Sequence, residues 1–347
     1  MTGLLLDEQF EQQQGRPFAE IVRRQPALLS ETLPWLAREL SSSRFEDPGA
    51  DAPIAFVAIG ASRAACRPAA FELLRAGRWA QRFTGEELVS ELPFDAVYIG
   101  VSQSGRSPEP LRALQRISER RVITVTNEAD SPMSRLGLPV HLGPLPDSGV
   151  STIAYSATSA ALSMLAERWI EGRISEGWDR LADGIAETID TASTRIDDWV
   201  AVLRRAATVD VVGGGHWLGP AEALALVARE ALHLPAAAFD TRSYLHGQTD
   251  SVSEAAAQIL LGGEREQILR TELEGRTLCA LQLSADPWAR PAQNEDPRLI
   301  ALPGESPGQQ AVAAAAVLHE VVRRWGDAIG VDPDAPVFHR LDTKASS

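Results

Sequence analysis

Asp95–Leu114 reads DAVYIGVSQSGRSPEPLRAL. The run Ala96–Val101 is apolar and β-rich, and it stops at a cluster of serines around Gly105. Pro108 fits the first position of a helix, and Ser107 before it is biased toward the extended backbone of an N-cap. A short strand, a hydroxyl-rich turn and a helix in immediate succession form the repeating unit of a parallel α/β sheet. Ligands of such sheets collect beyond the C-terminal ends of the strands, where this turn lies. Ser102, Ser104 and Ser107 supply hydroxyls, the turn supplies backbone N–H groups, and Gly105 permits a conformation that a Cβ would hinder. These features describe an anion cradle, and a phosphate monoester fits it best. A serine- and glycine-rich capped turn without a ligand has the same composition, so the loop alone leaves both readings open. Three or four hydrogen bonds to a charged group, at roughly 1.5–3 kcal/mol each, suffice for micromolar to millimolar binding without a lysine.

The same pattern recurs outward from this stretch. IAFVAIG (54–60), RVITVTN (121–127) and LPVHLGP (138–144) predict strands; ASRAACRPAAFELLRAG (61–77) and STIAYSATSAALSMLAERWIEG (151–172) predict helices. A second series follows: the strand TVDVVGGG, the helix GPAEALALVAREALHL, the strands AAAQILLGG, RTLCALQLS and RLIALPG, and the closing helix GQQAVAAAAVLHEVVRRWGDAIG. Two such series predict a duplicated, doubly wound α/β unit. The glycines of GGGHWLG match no dinucleotide fingerprint, and no P-loop lysine follows the serine turn.

The chain has 347 residues, enough for two modest domains, and a hydrophobic content of 44% suits a globular protein. Its net charge of −14 argues against nucleic acid and anionic membrane surfaces as partners. No apolar run reaches the ~18 residues of a transmembrane helix, and MTGLLLDEQFEQQQ lacks the basic start of a secretory signal. Cys66 and Cys279 imply neither a disulfide framework nor a zinc site. A cytoplasmic protein without metal or organic cofactor is expected. Lys344 is the only lysine.

SQSGRSPEPLRAL resembles the phosphate loop of the sugar isomerase (SIS) domain family, and the resemblance extends over most of the chain. It is similar to the two-SIS-domain isomerase half of glucosamine-6-phosphate synthase and to stand-alone isomerases, deaminases and deglycases of phosphosugars. The resemblance implies an N-terminal helical segment (1–45), a first SIS domain (46–175), a second (185–330) and a tail (331–347) over the site. Ser102, Gln103, Ser104 and Ser107 fall on the phosphate-binding positions. Ser62 falls on a sugar contact after the first strand, although the family's preceding threonine is Ala61 here. SGVSTIAYS is similar to the family's GVASTKAFT, one residue shorter and with Ile153 for its lysine. That makes Ser151 and Thr152 substrate contacts.

In the second half, Glu230 falls on the family's catalytic glutamate, and His246 on the histidine of its ELKHGP motif. Ala223 and Val227 replace a glutamate and a lysine of the same helix. Lys344 falls near the family's C-terminal lysine. The resemblance implies a homodimer in which His246 reaches the neighbouring subunit's site. Because no glutamine-hydrolysing domain stands ahead of residue 50, glutamine-dependent synthesis is not expected.

Moving a carbonyl between C1 and C2 of a sugar needs a base that shuttles a proton through an enediol, a role for a carboxylate. Ring opening needs a group that donates and accepts near pH 7, a role for imidazole. Glu230, His246 and Lys344 are therefore the candidate catalytic residues, with the phosphate as the remote handle. The expected activity is a phosphosugar isomerase or aminosugar-phosphate deaminase. A fructosamine-phosphate deglycase and a non-catalytic phosphosugar sensor are the alternatives.

Overall fold

The computed structural model describes residues 17–92, 95–118, 121–143 and 145–337. An amphipathic helix, α1 (Phe18–Leu40), opens it and buries Leu29, Leu33, Leu36 and Leu40. The first sheet holds β1 (Ile54–Val57), β2 (Ala80–Phe83), β3 (Val97–Val101), β4 (Val122–Thr126) and β5 (Leu138–His141). All pair in parallel, in the order β2-β1-β3-β4-β5. Three helices alternate with these strands: α2 (Gly60–Ala65), α3 (Arg67–Arg75) and α4 (Pro108–Leu114). Every residue of β1 and β4 is buried, as expected for parallel strands covered on both faces.

After β5 come α5 (Ile153–Glu171), α6 (Gly177–Thr191) and α7 (Ser193–Leu203). The second series is β6 (Thr208–Gly213), α8 (Leu218–Ala231), β7 (Ala236–Phe239), α9 (Thr241–Leu245), β8 (Ala256–Leu261), α10 (Glu264–Glu272), β9 (Cys279–Ser284), α11 (Ala289–Ala292), β10 (Leu299–Ala301) and α12 (Pro307–Ile329). Its strands are again all parallel, in the order β7-β6-β8-β9-β10. The fold is two tandem α/β units with one topology. The sequence pattern predicted eight of these strands and omitted β2 and β7, which occupy corresponding edges of the two sheets. The predicted helix after β1 is two helices, parted at Cys66 just before Pro68.

A layer of helices joins the halves. α5 is buried on nearly every side, as a helix apolar all round must be. α12, although it follows the second sheet, packs on α5 of the first half and on α1, α6, α7 and α8. Gly308 lets it come close: a Cβ there would stand 2.3 Å from the Ser163 Cβ. This packing holds α8 against α2, and the Glu222 side chain of α8 reaches Arg82 of β2 in the first sheet. Among the described residues, no helix is long and apolar enough to cross a membrane.

Candidate functional site

In the first sheet the chain leaves β1 toward β2 on one side, with β3 on the other. Ser102–Ser107 stands at that divide, at the end of β3. Ser102 N–H donates to Val125 O at 3.2 Å, Asn127 N–H donates to Gln103 O at 2.8 Å, and Met133 N–H donates to Gly105 O at 3.1 Å. These bonds pin the loop to the end of β4 and the segment beyond it. Ser102 Oγ and Ser107 Oγ lie 3.0 Å apart and share a hydrogen bond. Ser107 has the extended backbone expected before Pro108, but its hydroxyl faces Ser102 rather than capping α4. Gly105 has φ +59, and a Cβ on it would fall 2.0 Å from Ser131 Oγ. The turn therefore requires glycine on two counts: its left-handed backbone and its close packing.

Asp147, which sequence reasoning missed, organises the floor of this loop. Its carboxylate accepts from Thr152 N–H at 3.1 Å, Thr152 Oγ1 at 2.9 Å, Ser151 Oγ at 3.4 Å and Gln103 Nε2 at 3.3 Å. One buried acid thus ties the serine loop to the start of α5 and supplies the cap that Thr152 does not make for itself. Burial pushes its pKa up to about 7, against the opposing pull of the Thr152 hydroxyl and nearby amides. The structure therefore groups Ser102, Gln103, Ser107, Ser151 and Thr152, with Ser104 on the same loop. Thr152 is fully buried, its hydroxyl engaged with Asp147, whereas Ser151 remains partly exposed.

The neighbouring strand end carries a different chemistry. Ser62 lies half-buried in α2. Next to it, Arg63 joins Arg82 of β2 and Glu222 of α8. Arg82 grips the Glu222 carboxylate through both terminal nitrogens, at 2.5 and 3.1 Å, and donates to Arg63 O at 3.1 Å. Arg63 Nη1 is 4.0 Å from Glu222 Oε1. Arg67 Nε donates to Gly215 O at 2.8 Å, across the junction of the halves. Ala223 packs with Ala64, Ala65 and Tyr155, and Val227 enters the main core. At these two positions the resemblance implied charge loss, and apolar contacts fill the space.

Glu230 is half-buried in the last turn of α8, whose following strand is held by Arg229 Nε donating to Ala236 O at 2.6 Å. His246 is exposed at the end of α9. Lys344 lies outside the described residues. His216, in the glycine turn after β6, is packed between the Phe71 and Trp217 rings and bonds Gln310 at 3.0 Å. Burial presses its pKa down to about 4, so it is neutral at physiological pH. Among the described residues, no group of three or more His, Cys, Asp and Glu is arranged to hold a metal ion.

No protein-family profile matches the sequence, and no curated protein matches it. Solved structures do. The C-terminal domain of glucosamine-fructose-6-phosphate aminotransferase from Francisella tularensis superposes with a TM-score of 0.77 at 16% identity, over 92% of this chain and 98% of that one. A glucosamine-6-phosphate deaminase from Thermotoga maritima gives 0.77 at 20% identity, over 95% and 99%. A tagatose-6-phosphate ketose/aldose isomerase from Escherichia coli gives 0.71 at 16% identity, over 94% and 96%. The chain thus shares, over nearly its whole length, the fold of these three proteins.

Proposed function

We propose that this protein is a phosphosugar isomerase-type enzyme, acting on a hexose or hexosamine 6-phosphate. The observation that carries the reading is the joined Ser102–Ser107 hydroxyl pair, on a loop that Gly105 and Asp147 hold at the divide of the first sheet. Its hydroxyls and amides grip the phosphate without a cation. That grip fixes C1 and C2 toward α2 and α8, so binding energy remote from the reaction serves orientation. Glu230 takes the proton from C2 of the open aldose and returns it to C1, through an enediol. With an amino group on C2, the same shuttle passes through an enolamine and leads, on hydrolysis, to ketose and ammonia. His246, supplied by a second copy of the chain, moves protons between ring oxygen and anomeric hydroxyl. Lys344, outside the described residues, is the candidate for contact with the open-chain oxygen.

A deglycase reading shares the base and the phosphate loop but needs room and contacts for a leaving amine. Ala223 and Val227 fill their own space with apolar contacts; Arg63, Arg67 and Arg82, beyond the first strands, are the polar contacts that favour it as the second reading. The test is incubation with a panel of hexose, hexosamine and fructosamine 6-phosphates, following ketose, ammonia and free amine separately. Ketose alone supports an isomerase, ammonia a deaminase, and free amine a deglycase. Binding of the sugar phosphates without turnover of any of them would overturn the enzymatic reading.

A further inference from the structure

Away from the serine loop, a cleft of about 380 Å³ opens between the C-terminal ends of α3 and α5 and the start of α12. Two acids line it, Glu72 from α3 and Glu167 from α5, and each is only 8% exposed. Glu72 Oε1 accepts from Gly308 N–H at 2.7 Å, but Oε2 is buried and has no hydrogen-bond partner among the described residues. Glu167 Oε2 accepts from Ser175 N–H at 3.1 Å and from Trp178 Nε1 at 2.9 Å, and its Oε1 accepts from Ser306 Oγ at 2.7 Å. Arg75 and Arg173 also line the cleft, yet among the described residues neither forms an ion pair with these acids. The Arg75 guanidinium lies instead over the Phe71 ring, 5.8 Å from its centroid. Burial, and after it the charge of Glu167, push the Glu72 pKa up to about 8. An acid kept from water with one oxygen unanswered is costly unless a donor arrives to meet it.

We infer that this cleft binds a small organic ammonium ion, whose N–H groups are received by Glu72 and Glu167. An ammonium brings three donors and one positive charge to two facing acids that lack a cation. Ala76, Ile170 and Pro307 give the cleft apolar walls, so the ligand carries a hydrocarbon body. The volume lies within the ~300–1,000 Å³ of small-molecule pockets. Among the described residues, no group of His, Cys, Asp and Glu is arranged for a metal ion, which argues against a bare cation. The cleft is also separate from the proposed substrate site: α5 starts beside the serine loop at Ile153 and reaches Glu167 about 21 Å further along the helix. The inference therefore stands whichever sugar phosphate the protein takes. Glu72 carries a proton at pH 7, and an arriving ammonium ion displaces it. The other charged groups lining the cleft are Arg75, Glu167, Glu171 and Arg173, and the start of α12 adds only Ser306 and Pro307. Of the remaining neighbours of α3, His216 is already neutral at that pH, and Arg82 of β2 pairs with Glu222 of α8.

The test is calorimetry at pH 7 with cyclohexylamine, which is an ammonium ion there, against cyclohexanol as its neutral analogue. The wild-type protein should bind the amine at least tenfold tighter than the alcohol. Its binding should also release a proton to the buffer, read as a heat that varies with the buffer's ionisation enthalpy. In Glu72→Gln and Glu167→Gln the affinity ratio should fall below threefold, and in Glu72→Gln the proton release should vanish. Glu230→Gln should keep both, which separates this cleft from the proposed substrate site. The ratio is read within each protein, so a general loss of affinity cancels, and the wild-type comparison stands even if a variant fails to fold. Equal affinity of the wild type for amine and alcohol, or no binding of the amine, would overturn the inference and leave the phosphosugar reading untouched. A ratio that survives in both Glu72→Gln and Glu167→Gln would overturn it as well, by placing the amine elsewhere.

Discussion

The two sheets have the same strand order, yet the mouths of their crevices differ in chemistry. Beyond β3 the first offers Ser102, Ser104, Gly105 and Ser107. Beyond β8 the second offers Gly262, Gly263, Glu264 and Glu266, with Asp286 at the end of the adjoining strand; a Cβ on Gly263 would stand 2.2 Å from its Oδ2. Glu266 is buried and accepts from Thr241 Oγ1 at 2.6 Å, and burial raises its pKa. A phosphate meets hydroxyls in one crevice and carboxylates in the other. Topology marks where a ligand can sit; the loop residues decide whether an anion is welcome. In the proposed division of labour, the first half grips and the second half supplies the base.

That division can be broken at several points. The largest effect is expected from Glu230→Gln: turnover should fall at least ~10³-fold, within the range for loss of a general base, with sugar-phosphate affinity kept. Steady-state rates beside calorimetry measure both; unimpaired turnover would move the base elsewhere.

Asp147→Asn bears on how the first crevice is built. An unfolded aspartate titrates near ~4, whereas burial lifts Asp147 to about 7. The folded state therefore binds this proton more tightly. The stability the group contributes is complete below pH ~4 and is lost as pH rises through its folded value, on the order of 4 kcal/mol in all. Denaturant titrations at several pH values should show that slope in the wild type and a flatter one in Asp147→Asn. Equal slopes would show that Asp147 titrates in the folded state as it does in the unfolded one.

Replacing both Ser102 and Ser107 by alanine should weaken sugar-phosphate binding more than ~10-fold, since each bond to a charged oxygen contributes roughly 1.5–3 kcal/mol. The counterpart in the second crevice, Thr241→Val, should cost about 1–3 kcal/mol of stability by stripping Glu266 of its donor, and leave sugar-phosphate affinity unchanged. If the pair of substitutions acted the other way round, the assignment of crevices would be reversed.

Eight strands and the long helices were legible because continuous apolar runs and helical periodicity mark them directly. β2 and β7 were not. Both are four-residue edge strands: AQRF is broken by polar residues, AAAF is an alanine run of low β-propensity directly after Pro235, and Arg82 in the first looks like surface until Glu222, 140 residues away, is seen to hold it. Ser102, Ser104 and Ser107 were legible since their neighbours in sequence are their neighbours in space. Asp147 was hidden for the opposite reason: it caps a helix that begins six residues later and orients Gln103, 44 residues earlier. The arginine cluster draws on α2, the start of α3, β2 and α8, and only the packing of the halves assembles it.

The central claim is that the hydroxyl loop of the first half, and not the acidic crevice of the second, holds the phosphate. A crystal structure with fructose 6-phosphate tests it most directly. The account predicts phosphate oxygens within hydrogen-bonding distance of the Ser102 to Ser107 segment, and C1 and C2 turned toward Glu230. A phosphate beyond β8, or among Arg63, Arg67 and Arg82, would contradict it.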